Sequence, residues 1–487
     1  MTIFRTAMLQ MLFKSAFLLA SLWLPMTSCN KSMQDTPQPP GPTPVQNDID
    51  VWITKADGSA LLEKQSSVLG FTTTINNYPV ITIDTTVSYQ AVEGFGYTLT
   101  GGSAMLINRM DGSSRRQLLD ELFRCDNPKM CVSYLRVSLG ASDLDEQVFS
   151  YNDIPADQQD LSLQQFSLSK DTLHLIPVLK SVLQINPDIK IMASPWSAPL
   201  WMKSNRNSVG GSLLPQYYAV YAQYFVKYIQ AMSAQGIRID AVTVQNEPQH
   251  GGNNPSMVMS AAEQAQFVRD HLGPAFQAAG LDTKIVIWDH NCDNPQYPIS
   301  ILNDANARRF VHGSAFHLYN GDISALSTVH QAHSDKKLYF TEQWTGSNGT
   351  FRGDFLWHVK NVVIGSMRNW SVNALEWNLA NDPGFRPHTP GGCTMCKGAL
   401  TVSGNVVNRN VGYYIIAQAS VFVPPGSVRI QSEGAERLHH VAFKRADGKR
   451  VMIVLNDSAN AELFNIEFNG KKALTYLPAE SAGTFVW

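Results

Sequence analysis

The chain has 487 residues, of which 44% are hydrophobic and 16% charged, with a net charge of −2. That composition supplies apolar material for more than one core and excludes disorder of the bulk. A nearly balanced charge, with no basic cluster interleaved with aromatics, excludes electrostatic capture of nucleic acid or of an anionic membrane and suits a neutral substrate.

The N-terminus reads as an export signal. Arg5 and Lys14 precede or flank the apolar run Ala16 to Leu24, which is too short to span a bilayer comfortably. Met26-Thr27-Ser28-Cys29 resembles a bacterial lipoprotein cleavage site with Cys29 as the lipidated first residue. The alternative is an ordinary secretory signal in which Cys29 is incidental. Residues 1–28 are thus expected to be removed and residues 29–47 to form a tether, since Pro37, Pro39, Pro40, Pro42 and Pro44 among polar residues stay extended and build no core. The expected location is periplasmic or at the outer membrane or cell surface, with membrane contact only through the lipid. Export places the other cysteines in an oxidising compartment, so the close pairs Cys125/Cys131 and Cys393/Cys396 are disulfide candidates and Cys292 is left over. Cys393 and Cys396 could instead be half of a metal site, but no second pair has zinc-like spacing.

Residues 48–90 read as strands, with Val51 to Thr54 and Val80 to Ile83 flanking the turn signal Asp57-Gly58. From residue 91 to 424 short apolar strands alternate with amphipathic helices. Eight strands are predicted: Gly94–Thr98, Val132–Leu139, Ile189–Ser194, Ala241–Gln245, Lys284–Trp288, Ser314–Tyr319, Leu338–Thr341 and Val372–Trp377. Tyr218, Tyr221, Phe225, Ile229 and Met232 form one helical stripe ending at Gly236, and Ser260 with Glu263 forms a capping box. Eight such units without a phosphate-binding loop predict a (β/α)₈ TIM barrel, an α/β fold that places functional residues at strand C-terminal ends. After Pro424-Pro425-Gly426, residues 425–487 read as a region of strands, Val428–Gln431, Leu438–Phe443, Val451–Leu455, Leu463–Phe468 and Ala473–Leu477, with turns at Asp447-Gly448 and Asn469-Gly470. These strands are too few to close two sheets, so residues 48–90 are expected to complete an appended β-sandwich.

The chemistry concentrates at those strand ends. Ala241-Val242-Thr243-Val244 leads into Gln245-Asn246-Glu247-Pro248, and Leu338 to Thr341 leads into Glu342. Two carboxylates on two strand ends of one sheet suit glycosidic cleavage, where an acid must protonate a poor leaving group while a nucleophile attacks the anomeric carbon. For a retaining enzyme the two carboxyl groups are expected about 5–5.5 Å apart. His317 and Tyr319 alternate on one strand and so share a face, which suggests a pocket role. No histidine sits in a helical metal motif with a neighbouring carboxylate, so neither metal nor cofactor is expected.

Phe95-Gly96, Leu135-Arg136-Val137, Phe149-Ser150-Tyr151-Asn152-Asp153, Ala193 to Pro199, Asn246-Glu247-Pro248, His317-Leu318-Tyr319, Thr341-Glu342 and Trp377-Asn378-Leu379 together resemble glycoside hydrolase family 30, the glucosylceramidase-like family. The resemblance runs in order from about residue 90 to the C-terminus. It implies a retaining β-glycosidase with Glu247 as acid/base and Glu342 as nucleophile. It further implies that Asn246 binds the sugar 2-hydroxyl, that Arg136 lies beside Glu342, and that Asp153 and Trp196 hold the outer hydroxyls of the sugar, which favours glucose over xylose. His317, Tyr319 and Trp377 would complete the pocket wall. The loop Asp382 to Cys393 departs from the mammalian glucosylceramidase pattern, and the implied substrate is a β-glucan, nearest to β-1,6-linked glucan. Glucosylceramide or β-xyloside hydrolysis are the alternatives within the family, and a non-catalytic glycan-binding lipoprotein is the alternative outside it.

Overall fold

The computed structural model describes residues 46–126, 129–155 and 157–487. The expected signal peptide, Cys29 and nearly all of the tether lie outside these residues.

Eight parallel strands close into a barrel, each beside its neighbours in sequence: Gly94–Leu99, Tyr134–Ser138, Lys190–Ser194, Ala241–Thr243, Lys284–Cys292, Val311–Gly321, Lys337–Glu342 and Ser371–Asn378. The eighth strand closes the ring on the first, where Leu375 lies opposite Gly96. Gly96 is required there, because a Cβ would come within 1.9 Å of the Tyr134 carbonyl oxygen. The barrel interior is layered by the two-residue period of a strand. Tyr134, Met192, Ala241, Val286, Ala315, Tyr339, Val372 and Leu375 form one apolar layer. Two residues further along five of those strands come Arg136, Ser194, Thr243, His317 and Thr341, all fully buried and all polar. The fifth strand keeps pace differently. Trp288 and Asp289 adopt left-handed φ values of 71° and 65°, the pairing register shifts there, and the bulge brings Asp289 rather than Trp288 into the polar layer.

Local signals account for the surrounding helices. The stripe of Tyr218–Ala234 is buried, and the helix stops at Gly236, whose φ of +79° is the left-handed conformation that glycine favours. Ser260 and Glu263 make both halves of the capping box. The helix Val411–Ser420 is buried almost all round, because it lies between the barrel and the outer sheet. Its Gln418 accepts from Thr54 Oγ1 at 3.0 Å and donates to Thr484 Oγ1 at 2.8 Å, tying both ends of the chain's outer sheet to the barrel.

The N- and C-terminal strands form one nine-stranded, hydrogen-bonded sheet that encloses its own core of residues such as Ile53, Ile83, Met452, Phe464 and Phe485. The sandwich is therefore a single sheet rather than two separately bonded layers. Its joint is the strand Val80–Ala91, longer than expected, which pairs antiparallel with Val428–Gly434 through register shifts and parallel with Glu462–Phe468. The final strand, Ser481–Val486, was not predicted. Its run of Ser, Ala, Gly and Thr carries little strand signal, yet it lies between Asp50–Lys55 and Arg450–Asn456.

Candidate active site

Above the apolar layer, Arg136 stands at the centre of a polar network. Its Nη1 donates to Glu342 Oε2 at 2.5 Å, and its Nη2 donates to Asp289 Oδ2 at 2.8 Å and to Asn246 Oδ1 at 2.6 Å. The guanidinium also stacks 4.7 Å from the Trp196 ring and 5.8 Å from that of Trp377. Asp289 accepts further bonds from Ser194 Oγ at 2.6 Å, Thr243 Oγ1 at 2.7 Å and Thr341 Oγ1 at 2.7 Å. Although burial opposes its charge, Arg136, His317 and Ser194 together hold Asp289 well below the usual carboxylate range. Asp289 is thus a fixed negative charge beneath the site.

His317 bridges that charge to the reacting groups. Its Nε2 lies 3.2 Å from Asp289 Oδ1 and its Nδ1 3.1 Å from Glu247 Oε1. Burial pulls the imidazole down, but Glu342, Asp289 and Glu247 around it outweigh this and raise it to about 9, so both ring nitrogens donate at neutral pH. Tyr319 Oη donates to Glu342 Oε1 at 2.9 Å. Glu247 itself sits at a left-handed φ of 46°, an unfavourable conformation for a side chain of its kind, held by its N–H bond to the Asp289 carbonyl at 3.0 Å.

Glu247, His317 and Glu342 each place a ligating atom within 4.8 Å of the others. An oxygen of one glutamate is therefore within that distance of an oxygen of the other, closer than the roughly 6.5–9.5 Å spacing that leaves room for a water between carboxylates. Three such groups could also face a cation. A cation here would have to displace the His317 bond to Glu247 and share Glu342 with the Arg136 guanidinium, so the charge balance favours a protonated network over a metal.

The two glutamates titrate as a pair. Burial raises Glu342 above its ordinary range, helped by the charges of Glu247 and Asp289 and opposed by His317 and Arg136. Burial works against the Glu247 charge too, but the hydrogen bond and charge of His317 carry it below its ordinary range. A glycosidic oxygen beside Glu247 would accept a hydrogen bond from a protonated Glu247, while Arg136 and Tyr319 can hold Glu342 as the anion.

These carboxylates open into a cavity of about 280 Å³ lined also by Asp143, Trp196, Tyr319, Trp344 and Trp377. The Trp196 and Trp377 rings lie 5.4 Å apart and form one wall. Arg136 and His317 are fully buried and do not line the cavity; they hold the carboxylates that do, which corrects the expectation of His317 as a wall residue. Asn246 is likewise behind the surface, with its Oδ1 engaged by Arg136, leaving its amide nitrogen to donate.

Asp153 is the clear correction. It is exposed, accepts from Ser150 N at 3.0 Å and Ser150 Oγ at 2.7 Å, and lines a separate cavity with Phe149, Ser197 and Pro255. Its segment is anchored by buried neighbours, Tyr151 bonding Asp171 at 2.6 Å and Asn152 bonding Trp201 Nε1 at 2.8 Å, so the aspartate serves its own turn. The carboxylate inside the pocket is Asp143, in the loop that leaves the second barrel strand. Burial and then the Glu342 charge raise Asp143 to about 7, against a lowering hydrogen bond from the Cys393 N–H. Position just beyond a strand end was the signal that could have found it. Asp289, a polar residue at a strand end, lies beneath the site, and His250, Asn253, Asn291 and Trp344 are lining residues that the sequence reading had left out. The structure joins Cys125 to Cys131 and Cys393 to Cys396, and the second bridge lies on the pocket rim.

The glycosyl hydrolase family 30 TIM-barrel domain matches residues 92–408, and the family 30 beta sandwich domain matches residues 426–485. The chain is 33% identical over 436 residues to an endo-1,6-beta-D-glucanase of Aspergillus fumigatus, covering 83% of this chain and 87% of that one. It is 28% identical over 433 residues to the lysosomal acid glucosylceramidase of Mus musculus, covering 84% of this chain and 83% of that one. Among solved structures it is similar to the endo-beta1,6-glucanase BT3312, with a TM-score of 0.83 and 33% identity over 90% of this chain and 99% of that one.

Proposed function

Because the chain belongs to glycosyl hydrolase family 30, we propose that it is a retaining endo-β-1,6-glucanase, with Glu342 as nucleophile and Glu247 as acid/base. The observation that carries the mechanism is the close approach of the two carboxylates, within 4.8 Å oxygen to oxygen, with Arg136 and Tyr319 donating to Glu342 rather than to Glu247. In the first step Glu247 gives its proton to the departing glycosidic oxygen, and Glu342 attacks the anomeric carbon from the opposite face to form a glycosyl-enzyme. In the second step Glu247, now a base, takes a proton from water, which attacks the same carbon and frees Glu342. His317 keeps Glu247 aimed and, through its positive charge, lowers the cost of the anion left after proton donation.

The substrate reading rests on the names of relatives at 33% identity, both of them β-1,6-glucanases. The Trp196 and Trp377 wall with Asp143 offers a sugar an apolar face and a hydroxyl acceptor. We propose further that the enzyme works on an exported surface, anchored through Cys29, a reading supported by the signal-like N-terminus. Initial rates on β-1,6-glucan, glucosylceramide, aryl β-glucoside and aryl β-xyloside test the assignment. Turnover of β-1,6-glucan with oligomeric products is expected; exclusive turnover of glucosylceramide or xyloside overturns the substrate, and saccharide binding without turnover of any overturns the enzyme.

A further inference from the structure

Residues 382–397 leave the eighth barrel strand and cross to three other loops at the barrel mouth. Thr389 N donates to the Asp143 carbonyl at 2.9 Å, and its hydroxyl to the carbonyl of Asn254. Asn254 Nδ2 returns a bond to the Pro390 carbonyl at 2.7 Å. Gly392 lies so close that a Cβ there would be 2.3 Å from the Asp143 carbonyl oxygen. At its far end Cys396 pairs with Gly346 in a short antiparallel ladder, and Ser347 N bonds the Met395 carbonyl at 2.8 Å. That ladder follows Glu342 and Trp344 in the chain, so Cys396 is fixed to the strand end that carries the nucleophile.

Cys393 is the other end of the connection. Its N–H donates to Asp143 Oδ2 at 3.2 Å, and both half-cystines line the cavity with Asp143, Trp196 and Trp377. From Asp382 to Met395 the strap has no helix or strand; its anchors on the near side of Cys393 are the Thr389 bonds and the Gly392 N–H to the Thr389 carbonyl at 2.9 Å, and on the far side the bridge to Cys396. Resting on the hydrolase reading above, we infer that Cys393 and Cys396 are positioning residues for sugar binding, whose bridge fixes the strap and so aims the Asp143 carboxylate into the pocket from the Glu342 strand end. The continuous path runs from Glu342 through the ladder at Gly346 and Cys396, across the disulfide, to the Cys393 amide and Asp143. Opening the bridge removes the tether on the Cys396 side, so the Cys393 N–H is held to Asp143 only from the Thr389 side.

The test uses the full chain with Cys393→Ser and Cys396→Ser together. Tryptophan fluorescence from the pocket indoles reads glucose binding, and an aryl β-glucoside reads KM and kcat separately. Loss of a hydrogen bond to a charged group predicts roughly tenfold weaker glucose binding and a roughly tenfold higher KM, with kcat changed far less. If the bridge acts through Asp143, its removal in an Asp143→Ala background adds less than about twofold. Cys125→Ser with Cys131→Ser, remote from the pocket, leaves both readings alone. Wild-type protein treated with a phosphine, which is oxidised as the bridge becomes two thiols, is expected to behave like the double serine variant and to recover on reoxidation, which guards against a misfolded variant. Unchanged glucose affinity in the serine variant, or full additivity with Asp143→Ala, overturns the inference. Absence of turnover in the wild type refutes the hydrolase reading instead, while the fluorescence comparison still decides the strap.

Discussion

Asp289 and Arg136 form an ion pair at 2.8 Å in which neither side chain is exposed to solvent. A buried pair of this kind adds little net stability, but removing one partner leaves an unpaired charge in the core. Asp289→Asn is therefore expected to lower stability by about 3–5 kcal/mol, read from urea unfolding. It should also lower kcat/KM, because Arg136 loses the partner that aims it at Glu342. A variant with wild-type stability and rate would show that the network is not what holds Arg136.

The two glutamates are expected to fail differently. Glu247→Ala should slow β-1,6-linked oligomers by roughly 10²–10⁴-fold, since their leaving oxygen needs a proton, and spare an activated aryl glucoside in the first step. Added azide should restore aryl turnover and give β-glycosyl azide, because a small anion attacks the glycosyl-enzyme without a base. Glu342→Ala should abolish both substrates. Equal losses on both substrates in Glu247→Ala would reverse or remove the assignment.

His317 sets a pH window for stability. Its folded value of about 9 lies above the ordinary 6.5, the net result of burial pulling it down and Glu342, Asp289 and Glu247 raising it. The stabilisation is complete below pH 6.5 or so and is lost as pH rises through 9. The Tm difference between wild type and His317→Gln should accordingly shrink on going from pH 6 to pH 9.5. A difference that grows over that range would contradict a charged imidazole in the native state.

The anchor is tested by partitioning. Cys29→Ala should shift the protein from the detergent phase of a membrane extract to the aqueous phase, because lipid is the expected attachment. Unchanged partitioning would leave only the ordinary secretory signal.

Strand ends made the two glutamates legible, since a carboxylate that closes a buried apolar run has few other reasons to be there. The barrel followed from the same alternation. What the sequence concealed depends on residues brought together by folding. Asp153 stands in a conspicuous motif, but that motif is anchored by Tyr151 and Asn152 and turns the aspartate outward, whereas Asp143 sits in an ordinary-looking stretch whose depth only the closed barrel defines. Asp289 was visible at a strand end, yet its inward direction depends on two left-handed residues that no periodicity reveals. The last strand was hidden because its small residues make sense only when flanked on both sides.

That last strand has a consequence for how the protein is made. Asp50–Lys55 leaves the ribosome long before its partner Ser481–Val486 is made, so the outer sheet cannot close until that distant segment has been synthesised. Until then Val51 and Ile53, buried in the finished sheet, have no neighbour on that side. Loss of Ser481–Val486 would remove an interior strand rather than trim an edge, and the barrel's neighbouring helix would lose the Thr484 contact made by Gln418. The outer sheet is thus complete only after Val486 is made, well after Glu247 and Glu342 have been synthesised.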